Sequence, residues 1–266
     1  MKHRYLLLTL TFLFTITNTI LAQLSNEECI QNLSIFAESA KVKNYEAAYE
    51  PWMKVREECP SINLAIYSYG ERILKFKYQN STEEEKSSYA NDIIKLYDQW
   101  LEYFPTKKNK KVVGDIISSK AQAMIDYKVG DKSLIYNTFD KAFTTDPNSF
   151  TNPKGLYNYF KTFYDLYKEG VDQVTMEKLF NKYEEVSEKF EFEATKLAKN
   201  LDVILKKEET GSPLTSREIR SKKVYEVNSN AIGIMLKNLD AIIAKEATCE
   251  NLIPLYNKNF DENKTD

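Results

Sequence analysis

Histidine is almost absent from this 266-residue chain, and the only one, His3, lies at the very start. The residues around it read as an export leader covering 1–22. Lys2 and Arg4 form a short basic start, Tyr5–Ile20 is apolar and hydroxyl-rich without charge, and Ala22 is a small residue suited to cleavage before Gln23. With the leader removed, no histidine is left. That excludes nucleophilic sites built on an imidazole base and metal sites built on histidine. Glycine is also scarce. The seven glycines form neither a GxGxxG nor a P-loop, so no nucleotide cofactor is expected. No second long apolar run exists, so no stable membrane insertion is expected after cleavage. No cysteine adjoins the cleavage point to carry a lipid.

Strong net charge is missing as well. Losing Lys2 and Arg4 takes the 37 basic residues to 35, against 39 acidic. A mildly acidic chain offers no electrostatic case for nucleic acid. The one basic cluster, Lys107, Lys108, Lys110 and Lys111, reads as a solvated loop.

What is present is helical periodicity with punctuation. An apolar residue, then a residue four on, another seven on, and a proline twelve on recur three times in one register. The first copy is Ala48, Trp52, Val55 and Pro60. The second is Ile93, Tyr97, Trp100 and Pro105, and the third Ile135, Phe139, Ala142 and Pro147. Positions four and seven apart share a helix face. Proline then closes the helix, because it has no N–H and turns its predecessor away from α. Ahead of the second copy, Tyr69-Gly70 lies between Ile66 and Ile73, and Gly70 would let two helices approach closely. Ala123 takes that place in the third copy.

This register resembles the tetratricopeptide repeat (TPR), a helix-turn-helix unit that stacks on copies of itself. The general character of the chain, NYEAAYEPWMKVREECP followed by a long helical tail, is similar to exported TPR proteins of the Bacteroidota. An ordinary helical bundle whose helices end in proline is the alternative. The resemblance implies an all-α solenoid of stacked antiparallel helix pairs over residues 23–147. Residues 148–207 follow as an extended helical pair, 208–216 as a loop, and 217–266 as C-terminal helices. No partner helix closes the chain, so it is expected to be truncated relative to its relatives. Antiparallel pairing would also bring Cys29, at the start of the first helix, beside Cys59 at the end of the second. The expectation is a Cys29–Cys59 disulfide, with two buried thiols as the alternative; Cys249 is left over.

In more detail, Ser25 with Glu28 should cap the first helix, and Asn44 the second, Tyr45–Glu58, which contains Pro51. Further helices are expected at Asn63–Tyr78, from the glutamates after Thr82 to Phe104, and at Val112–Lys128, Lys132–Thr144, Lys154–Lys168 and Thr175–Lys207. Three more follow at Arg217–Val227, Asn228–Glu246 and Thr248–Phe260. The function implied by the resemblance is a non-enzymatic scaffold of the periplasm or cell envelope. It would grip an unidentified protein or peptide on its concave face, where Tyr67, Glu71, Leu74 and Lys75 are the candidate contacts. The alternative is an envelope glycan- or ligand-binding protein, similar to the nutrient-capture proteins of the SusD-like group. Trp52 and Trp100 would serve such a role only if exposed beside a cleft.

Overall fold

The structure, a computed structural model, describes residues 25–262. The expected leader lies outside the described residues. Ten α-helices follow one another among them: α1 Asn26–Lys41, α2 Tyr45–Glu58, α3 Ala65–Asn80, α4 Glu83–Tyr103, α5 Val113–Asp126, α6 Lys132–Thr145, α7 Pro153–Lys168, α8 Met176–Glu209, α9 Ser216–Glu246 and α10 Cys249–Glu262. Helices adjacent in sequence from α1 to α9 pack on one another. The chain is an all-α helical repeat.

The start signals act as read. Ser25 and Glu28 form a reciprocal capping box on α1, and the Asn44 side chain accepts from the Ala47 N–H at the start of α2. Thr82 with Glu85 caps α4, and Asp131, Asn152 and Thr175 accept from the N3 amides of α6, α7 and α8. These oxygens satisfy N–H groups that have no partner inside the helix. Despite Pro51, α2 runs unbroken from end to end.

The stop signals repeat with the same geometry three times. Pro60, Pro105 and Pro147 each fall two residues after the last residue of α2, α4 and α6. The residue between, Cys59, Phe104 or Asp146, has φ of −136°, −137° or −153° and ψ of 48°, 59° or 72°. Its N–H returns to the carbonyl of Val55, Trp100 or Ala142, the third position of each repeat copy. The proline ring keeps its predecessor out of the α region, so one residue type sets the same exit angle at each repeat. Most of the repeat positions are core: Ala48, Trp52, Val55, Ile93, Phe139 and Ala142 are fully buried, while Trp100 is half-buried.

Packing then fixes how the pairs stack. Trp52 of α2 donates from Nε1 to the Ile66 carbonyl at 2.7 Å and lies against Gly70 of α3. A Cβ on Gly70 would stand 2.7 Å from Trp52 Cζ2, so the glycine is what lets α3 approach. Arg56, buried beside Trp52, reaches from α2 to α4. It grips the Asp92 carboxylate through two nitrogens at 2.8 and 2.9 Å and donates to Gln99 at 2.7 Å. Bidentate pairing of this kind fixes register as well as distance. In the third copy, Phe139 packs on Phe150 and Tyr159. Cys29 and Cys59 are joined as a disulfide with their Cα atoms 6.3 Å apart, tying the start of α1 to the end of α2.

Three expectations need correcting. The basic stretch after Pro105 is no plain loop. Thr106–Lys107 (β1) and Lys110–Lys111 (β2) pair as a small antiparallel hairpin, and Lys108 and Asn109 both take positive φ, as a tight hairpin turn requires. The segments Arg217–Val227 and Asn228–Glu246 form one continuous helix, α9, because Asn228, Ser229 and Asn230 are weak helix formers rather than breakers. The loop expected at 208–216 shrinks to residues 210–215.

Among the described residues no helix is long and apolar enough to cross a membrane.

Candidate functional site

The odd-numbered helices α1 with α3, and α5 with α7, come closer together than successive even-numbered helices do. At these two steps the odd-numbered helices lie on the inner side of the stack, while α3 and α5 stand further apart with a gap between them. On that side, α3, α5 and the start of α7 enclose a polar cleft of about 220 Å³. Glu71 and Lys75 enter from α3, Ser118, Ser119, Gln122 and Asp126 from α5, and Asn152 from the α7 cap. Tyr97 of α4 forms the base, and Tyr127, just past α5, an edge.

The spacing explains how these side chains converge. Residues 118, 122 and 126 lie one turn apart on α5, as do 71 and 75 on α3. The opposite faces of both helices carry the core residues Ile66, Ile73, Ile117 and Met124.

The polar groups are held in a network. Asn158 donates to Gln122 Oε1 at 2.7 Å, Gln122 donates to Asp126 Oδ1 at 2.8 Å, and Lys154 reaches the same carboxylate at 3.2 Å. Burial, followed by the Glu71 carboxylate beside it, raises the Tyr97 phenol far above its ordinary value. The same causes push Tyr127 up to about 12. Both phenols therefore stay protonated as donors at neutral pH. Among the described residues there is no histidine to activate either serine of the cleft, and Ser118 Oγ instead donates to the Asp115 carbonyl. The arrangement is a set of fixed donors and acceptors around an open slot, suited to hydrogen-bonding a polar chain.

The four candidate contacts divide evenly. Glu71 and Lys75 stand in the cleft. Tyr67 and Leu74 do not, since both are fully buried. Tyr67 fills the gap beneath the α2–α3 turn, with its hydroxyl donating to the Pro60 carbonyl at 3.0 Å and its ring against Trp100, Tyr103 and Phe104. Leu74 belongs to the same core. Sequence reasoning missed Ser118, Gln122, Asp126 and Tyr127. The only signal for the first three was their i, i+4, i+8 polar spacing on α5, which any solvated helix face also shows, and Tyr127 had none.

Neither tryptophan lines the slot. Trp52 is fully buried, and the half-buried Trp100 has its ring stacked with those of Tyr67 and Tyr97. Among the described residues, no group of three or more His, Cys, Asp or Glu side chains is placed to hold a metal ion. In comparison with known proteins, the chain matches no family model, no curated protein and no solved structure.

Proposed function

We propose that this protein is a non-enzymatic scaffold of the TPR kind, exported to the periplasm or cell envelope, that holds a protein or peptide partner on its inner helical face. One observation carries the reading: α3 presents Glu71 and Lys75, and α5 presents Gln122 and Asp126, into a single slot that the Asn152 cap of α7 closes. Such a slot matches the hydrogen-bonding pattern of an extended chain, and the ordered network around it lowers the entropic cost of binding. Three repeats with the same exit geometry support the family assignment. The Cys29–Cys59 bridge supports an oxidising compartment.

The test is affinity capture from envelope extract with the leaderless chain and with a Glu71→Lys, Asp126→Lys variant. Lys141→Glu, on the exposed side of α6, serves as the control. The reading requires a dominant protein that is retained by the wild type and the control and lost from the double variant. Equal retention by all three would contradict it, as would retention only on immobilised glycan.

A further inference from the structure

A second, larger cleft of about 660 Å³ opens where α6, the end of α7 and the start of α8 meet. It lies between α6 and α8 over the end of α7, shares no lining residue with the slot described above, and its volume falls within the roughly 300–1,000 Å³ of small-ligand sites. Its floor is apolar: Phe163 and Leu166 from α7, and Val171 and Val174 from the loop that follows. That loop is held in shape by its own backbone. Gly170 and Gln173 take φ of 66° and 71°, Val171 N–H bonds to the Leu166 carbonyl, and Val174 N–H bonds to the Val171 carbonyl.

One wall is a charge hub. The Lys182 ammonium pairs with Asp140 at 3.4 Å and with Glu185, donates to the Tyr159 hydroxyl and lies 4.6 Å above the Tyr159 ring. Tyr159 and Tyr136 both donate to Asp140, at 2.5 and 3.2 Å. With two carboxylates on one ammonium, Lys182 has no charge to spare for a ligand. At the mouth the situation differs. Among the described residues, no hydrogen bond or ion pair engages the side chains of Asp172 or Lys178, and both are exposed. The cleft therefore offers one free charge of each sign above an apolar floor.

The aromatic rings are not free to stack on a sugar. Tyr136 lies on Tyr159 with ring planes 16° apart and also contacts Phe163 at 4.9 Å, and Phe163 itself is buried. A ligand that matches the floor and both lip charges is a short peptide with free termini and an apolar side chain. We propose that this cleft is a binding site for such zwitterionic di- or tripeptides. The floor takes the side chain, Lys178 the carboxylate and Asp172 the ammonium. This site stands independently of the scaffold reading.

Calorimetry with the leaderless full chain and the dipeptide Leu-Phe tests it. Each charged contact is expected to be worth about tenfold or more in affinity. Leu-Phe should bind, and Leu-Phe capped by N-acetylation and C-amidation should bind at least about tenfold more weakly. Lys178→Glu and Val171→Asp, both at exposed positions, should weaken Leu-Phe by a similar factor while leaving the helical circular dichroism unchanged. The proposal is overturned if Leu-Phe gives no heat at millimolar concentration, if capping makes no difference, or if neither variant changes affinity. Binding of a glucose oligomer in place of the dipeptide would also overturn it.

Discussion

The stack α1–α7 and the hairpin of α8 and α9 are built from helices of different kinds. In the stack, helices of 14–21 residues each bury three to seven residues, including Trp52, Tyr67, Phe139 and Tyr159. In the hairpin, α8 has 34 residues and α9 has 31, so each spans roughly 45–50 Å at ~1.5 Å per residue. Only their near halves join the core, through Val186, Phe190, Ile232, Leu239 and Ile243. From residue 195 to 230 only Ile204 is buried, while Val203, Ile219, Val224 and Val227 are exposed. Helices of the stack are stabilised by burial against neighbours. The far hairpin relies on length, propensity, caps and surface ion pairs such as Lys222–Glu208 and Lys206–Asp202, which contribute little each. A binding face needs fixed geometry, and the stack is where the fold supplies it.

Truncating one residue in each region sharpens this contrast most. Trp52→Ala removes a fully buried ring and its hydrogen bond, and should cost about 3–5 kcal/mol in chemical denaturation. Val224→Ala should stay within about 0.5 kcal/mol. Comparable losses would mean that the far hairpin is packed as tightly as the stack. Reduction comes next. The Cys29–Cys59 bridge closes a 30-residue separation and should contribute about 3 kcal/mol through the unfolded chain. A dithiol-treated sample should unfold at a lower denaturant midpoint, with protection from hydrogen exchange lost first in α1 and α2. Smaller again is Gly70→Ala, which forces a methyl group onto Trp52 and should cost about 1–3 kcal/mol.

The gentlest probe is acid, aimed at the hairpin tip. Glu218 is lowered from 4.5 to about 2, first by a hydrogen bond from Lys207 and then by the backbone N–H and hydroxyl of Thr215. A depressed carboxylate stabilises the folded form above its unfolded pKa, and that contribution disappears as pH falls through the folded one. The cap joining α8 to α9 should therefore hold above pH 4.5 and loosen between 4.5 and about 2. A carbon-detected titration of the Glu218 carboxyl, with the Cα shifts of residues 207–218, would show it. A carboxyl titrating at its ordinary value would remove this link.

Much of this architecture was legible because its signals are local. Ser25, Asn44 and Thr82 name helix starts, and Pro60, Pro105 and Pro147 name helix ends, each through chemistry confined to a few residues. The Cys29–Cys59 pairing followed once antiparallel helices were assumed. What escaped depends on contacts across helices. Tyr67 and Leu74 sit beside Glu71 and Lys75 on the helical wheel, and nothing local says that Trp100 and Phe104 pack on Tyr67 and that Leu74 joins the same core, while Glu71 and Lys75 stay open. The slot escaped for the same reason, since Gln122 and Asp126 acquire meaning only once α7 places Asn158 and Lys154 against them. The continuity of α9 escaped because weak helix formers at 228–230 cost only tenths of a kcal/mol each.

The most direct measurement is photo-crosslinking in the native envelope, with a photoreactive residue placed in turn at Lys75, Ser119, Lys141 and Val224. The account predicts adducts with one partner from Lys75 and Ser119, and none with that partner from Lys141 or Val224. Adducts confined to Lys141 or Val224, or no adduct from the inner face, would contradict it.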